Sequence, residues 1–103
     1  MSSILLEDDG GSGTASAHWE KKVFGNELMT GVISGYPVIS PITLGLLEDS
    51  GWYTVDYTTA GFFTWGKETG CNFITSSCSG FKEFCPKYQR FSCDRSYLFK
   101  TYC

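Results

Sequence analysis

G-T-A-S-A-H-W-E-K-K-V-F-G-N-E-L-M-T-G, residues 13–31, holds the only histidine of the chain, His18, and a methionine, Met29, in a turn-like run closed by Gly31. An imidazole at neutral pH can act as a base, a switch or a metal ligand. Without a second histidine in the chain, His18 taken alone is equally a satisfied or solvent-facing side chain. Trp19 beside it can shield a site from water or simply fill a core or rim position. Met29 can floor a metal site, or fill an irregular gap as methionines commonly do. N-E-L-M-T-G (26–31) reads as a turn, with Asn26 and Gly31 placed to take unusual dihedrals. W-E-K-K-V-F (19–24) reads as a short helical turn or an irregular loop. Ahead of them Gly10, Gly11 and Gly13 let the backbone pass close to another element. They do not form a phosphate loop, because the G-x-x-x-x-G-K-[S/T] pattern is absent.

Downstream, the sequence predicts one clear helix. Ser40 can cap it, Pro41 suits its first position, I-T-L-G-L-L-E-D-S follows, and Gly51 supplies the stop. Ile42, Leu44, Leu46 and Leu47 predict that most of this helix is buried. Glu48 and Asp49 point about 100° apart on such a helix, so they read as a solvated end and not as a catalytic acid pair. Tyr53, Val55 and Tyr57 alternate, which predicts a short strand or extended loop. Upstream, I-L-L-E-D-D (4–9) reads as an apolar run closed by a solvated acidic turn. It lacks the D-x-D-x-D-G order of a calcium loop.

Composition sets limits on function. The 103 residues are 42% hydrophobic and 17% aromatic, with a net charge of −3. A nucleic-acid reader carries a basic stripe, and the eight basic residues here are scattered. No apolar run approaches the ~18 residues of a membrane span. The start M-S-S-I-L-L-E-D-D-G-G has no basic region and too short an apolar run for a signal peptide.

Five cysteines, Cys71, Cys78, Cys85, Cys93 and Cys103, are spaced C-x6-C-x6-C-x7-C-x9-C. No C-x-x-C pair of the zinc-ribbon or redox kind occurs among them. Such density predicts a disulfide-stapled, extracellular type of segment. All five are disulfide candidates, yet an odd number leaves one thiol free or paired outside the chain. A secretory cysteine set without a signal peptide predicts a missing N-terminal portion. A Cys–His nucleophile would need a thiolate near His18, whereas all five thiols lie in a segment that reads as structural.

Four runs carry a family resemblance: G-S-G-T-A-S-A-H-W-E (11–20), N-E-L-M-T (26–30), S-P-I-T-L-G-L-L-E-D-S-G-W-Y-T-V-D-Y (40–57) and, more weakly, W-G-x-x-x-G-C (65–71). The chain resembles leishmanolysin-like zinc metallopeptidases, metzincins, and most of all their ciliate-type members. In that family three histidines hold zinc, two from H-E-x-x-H on a helix and a third in an H-W context, before a Met-turn. The resemblance makes His18 the third zinc ligand and Met29 the Met-turn residue. It makes the helix at 41–49 a support for both. No H-E-x-x-H occurs in these residues, so two ligands and the glutamate base are missing from them.

The expected fold is α+β, irregular and loop-rich: the C-terminal subdomain of a metzincin-like catalytic domain. Residues 1–70 are expected to be partial catalytic domain and 71–103 the start of a cysteine-rich region. By resemblance, Cys71 bridges to a residue upstream. The implied function is zinc-dependent hydrolysis of protein or peptide substrates at the cell surface or in the secreted space, with a cell-adhesion role by family. The implied partner is the missing N-terminal part of the same domain, without which the chain is inactive. Nucleic acid and a transmembrane segment are not expected. The alternative is a cysteine-rich extracellular binding module without catalytic activity.

Overall fold

A computed structural model describes residues 6–85, 91–93 and 100–102. The chain divides into two compact units, Met1–Phe63 and Thr64–Cys103. Among the described residues the helices are short, strand is scarce, and loops supply most of the structure.

In the first unit a tight helical turn at Gly11–Gly13 leads to helix α1 (Lys21–Phe24). The Glu20 carboxylate caps α1 by accepting from the Lys22 amide. Gly25 ends the helix at φ 50°, a left-handed value that suits glycine. Residues 26–31 then form the expected turn, but the positive dihedral belongs to Gly25, and neither Asn26 nor Gly31 has one. Gly31 is needed for a different reason. A Cβ there would lie 2.3 Å from Thr14 Cγ2 and 3.4 Å from Glu7 Cγ, so the Thr14 and Glu7 side chains occupy the space a side chain would need. Gly31→Ala is therefore expected to cost ~1–3 kcal/mol of stability, as overpacking does. Adding Thr14→Ser, which deletes the clashing methyl, should recover most of it in denaturant titrations. A neutral Gly31→Ala would contradict the packing.

Helix α2 (Pro41–Asp49) begins as the sequence predicts. Ser40 is the N-cap, its Oγ accepting from the Thr43 amide, and Pro41 opens the first turn. Gly51, at φ 74°, follows the end of the helix and donates its N–H to Glu48 O. The expected burial does not follow. Only Thr43 and Leu44 are buried, while Ile42, Leu46 and Leu47 are 45%, 53% and 38% exposed. Apolar residues surround this helix, and one face of it is packed within the unit. Glu48 and Asp49 do lie at an exposed end, where Tyr57 Oη donates to Glu48 Oε2 at 2.7 Å. That bond holds the Tyr57 phenol above its ordinary pKa. Residues 53–56 form no strand; the chain passes instead into a helical turn at Tyr57–Thr59, capped by Asp56. The period-two pattern fails here because, among the described residues, no neighbouring strand offers the segment a ladder of hydrogen bonds.

In the second unit Phe73 is buried on helix α3 (Asn72–Thr75). It meets Phe84 in a stack at 5.7 Å and Phe81 edge-on at 5.3 Å, and Trp65 sits edge-on at 6.4 Å. Gly66 has φ 65°, and a Cβ there would come within 2.6 Å of Phe73 Cε1. Strands β1 (Phe91–Cys93) and β2 (Lys100–Tyr102) pair antiparallel, with Ser92 opposite Thr101. Of the five cysteines, Cys71 and Cys78 are exposed and unbridged among the described residues. Cys85 is disulfide-bonded. Cys93 belongs to β1, and Cys103 lies outside the described residues.

Candidate functional site

The first unit folds around the run the sequence singles out. Three isolated bridges hold it together: Leu6 with Trp19, Trp19 with Thr30, and Glu27 with Val38. They bring the histidine segment alongside the methionine turn. Trp19 N–H donates to Met29 O at 3.0 Å, and Glu7 N–H donates to His18 O at 3.0 Å. His18 and Met29, eleven residues apart, thus meet directly.

The contact between them has a chemical consequence. His18 Nδ1 lies 3.3 Å from Met29 O. A carbonyl only accepts, so a hydrogen bond here puts hydrogen on Nδ1, and an imidazole of that tautomer has its lone pair at Nε2. This is the usual arrangement of a metal-binding imidazole, whose second nitrogen is held by a carbonyl or carboxylate. The ring is half-buried and the Met29 side chain is 44% exposed, so the site lies open at the surface of the unit.

Below the turn, Glu27 is completely buried. Its Oε1 accepts from Ser40 N–H at 3.1 Å, from Ser40 Oγ at 3.2 Å and from Thr43 Oγ1; its Oε2 accepts from Met29 N–H. Trp19 Nε1 donates to Thr43 Oγ1 at 2.8 Å, which completes a path from the tryptophan through α2 to the turn. The carboxylate sits at the N-terminus of α2, where the helix dipole favours negative charge. In the sequence Glu27 stands out only as part of the E-L-M-T context, and Thr43 only as a helix residue. The available signal was an acid followed by Leu28 and Met29, with the unpaired amides of a capped helix start thirteen residues on.

Two further charged side chains tie the outer edge. Lys21 Nζ donates to Val32 O at 2.9 Å and to Ser34 Oγ at 2.6 Å, clamping the loop after the turn onto α1. Burial pulls the Lys21 ammonium below its ordinary pKa. Glu7 corrects the picture of a solvated acidic turn: it is 6% exposed, while Asp8 and Asp9 face solvent. Its carboxylate accepts from the Asp9 and Lys21 amides, which hold it below the usual carboxylate range. Glu7, Asp8 and Glu20 are the one group of potential metal-binding side chains clustered among the described residues, and His18 is not in it. Glu7 and Glu20 are already engaged by backbone amides, so this cluster serves the loop structure.

The sequence profile of the leishmanolysin family matches residues 1–103. The chain belongs to the leishmanolysin family. A leishmanolysin-like peptidase of Drosophila melanogaster is 52% identical over 79 residues, covering 77% of this chain and 12% of that protein. A leishmanolysin homolog of Crithidia fasciculata is 45% identical over 75 residues, 73% of this chain and 11% of the homolog. The ciliated left-right organizer metallopeptidase of Mus musculus is 33% identical over 95 residues, 88% of this chain and 14% of the relative. The chain therefore spans only about an eighth of the length of these curated relatives. No solved structure matches it. The family is one of metallopeptidases, which implies a metal, typically zinc. Among the described residues, no helix is long and apolar enough to cross a membrane.

Proposed function

We propose that these residues are the C-terminal part of a metzincin-like zinc endopeptidase domain, in which His18 is one of three imidazole ligands. Residues 1–70 belong to the catalytic domain and 71–103 open a cysteine-rich region. The observation that carries this reading is the His18 Nδ1 bond to Met29 O, which leaves Nε2 as the metal-facing nitrogen. Met29 belongs to the turn that supports the ligand. The other two histidines and the glutamate base come from outside these residues. When bound, zinc supplies Lewis-acid polarisation of a peptide carbonyl. The residues present here orient one ligand, brace the turn beneath it through Glu27, and anchor both to α2. Protein or peptide substrates and a cell-surface or secreted location follow from the same reading, as does the family's adhesion role.

The test is peptide hydrolysis by the complete protein. Chelation should reduce activity to background, and added zinc should restore it. The 103 residues alone, loaded with zinc, should show none, because one imidazole does not make a catalytic site. Hydrolysis that survives chelation, or cleavage by the 103 residues alone, overturns the proposal.

A further inference from the structure

We propose that Glu27 is a positioning residue for the metal site: its buried carboxylate sets the Met29 carbonyl that selects the tautomer of His18. This rests on the reading of His18 as a metal ligand.

Donors converge on Glu27 from two elements, Ser40 and Thr43 of the α2 start and Met29 of the turn. An ionised carboxylate is acceptor-only and can satisfy all of them; an amide at the same place would aim hydrogens at hydrogens. Glu27 thereby fixes the peptide plane on the N-terminal side of Met29 against a helix. On the C-terminal side, Met29 O accepts both Trp19 N–H and His18 Nδ1. Trp19 is held in turn by Thr43 Oγ1, which donates to the same carboxylate. The carbonyl that His18 Nδ1 meets therefore belongs to a closed ring of contacts through Glu27, Met29, Trp19 and Thr43. Glu27 does not touch the imidazole. It acts through Met29 and Trp19.

The experiment uses the complete protein with isotope-labelled histidine, the His18 signals being assigned by their loss in His18→Gln. Ring-nitrogen shifts of the metal-free protein report the His18 tautomer, and zinc titration against a competing chelator reports affinity. Wild type should show His18 with hydrogen on Nδ1. Glu27→Gln should yield a mixture of tautomers and weaken zinc binding by about 10–100-fold, the usual loss for an outer-shell partner. Thr43→Val should move both readouts the same way, and Thr43→Ser, which keeps the hydroxyl, should restore them. If Glu27→Gln does not fold, the Thr43 pair decides. An unchanged tautomer and affinity in folded Glu27→Gln, or equal behaviour of the two Thr43 variants, overturns the positioning role and leaves His18 as a ligand. A wild-type His18 untouched by zinc would instead overturn the ligand reading, while the metal-free tautomer would still report on Glu27.

Discussion

His18→Ala is expected to lower peptidase activity of the complete protein by at least ~100-fold, beyond the 10–100-fold typical of removing an outer-shell partner. The same change should barely affect folding. The imidazole makes one long bond, 3.3 Å to Met29 O, and the ring is only half-buried. A hydrogen bond of that kind contributes about 0.5–1.5 kcal/mol at most. The structural ties of the segment run through the backbone, from Glu7 N–H to His18 O and from Trp19 N–H to Met29 O, and alanine keeps both. Activity and stability should therefore separate. Denaturant midpoints measured beside the hydrolysis assay check this. A His18→Ala protein that loses activity only in proportion to its unfolding would make the histidine structural.

Phe24→Ala should do the reverse. Phe24 is 1% exposed and stacks on Trp19 with centroids 4.7 Å apart. Among the described residues, the buried hydrophobic side chains of the first unit are Phe24 and Leu44. Truncating a buried phenylalanine costs about 3–5 kcal/mol, from lost transfer energy and the cavity left behind. Whole domains are stable by only ~5–15 kcal/mol, so this one change removes a large share. Urea titration followed by tryptophan fluorescence should show the loss, together with fading of the stacked-ring signal in near-ultraviolet dichroism. A loss below ~1 kcal/mol would place the core elsewhere.

Polar residues carry much of this fold, which explains what could be read in advance. The capped start of α2 was legible because Ser40, Pro41 and Gly51 act locally. The pairing of His18 with Met29 was reachable only through family resemblance, since nothing in the residues between them dictates that the two runs lie side by side. The composition of α2 predicts more burial than it has, because its apolar residues face all round while the first unit covers one face. Glu27 and Glu7 were missed for a shared reason. An acid in a loop reads as solvated, and only the convergence of amides and hydroxyls from distant segments makes burial tolerable. Gly31 reads in sequence as a residue of flexible dihedrals, whereas its role is close approach to Thr14, a long-range fact.

The most direct test of the account is the coordination of His18 in the complete protein. Cadmium substituted for zinc, with isotope-labelled histidine, should give one-bond metal coupling to His18 Nε2, while Nδ1 keeps its hydrogen toward Met29 O. Coupling through Nδ1, or no coupling to His18 at all, would contradict the central claim.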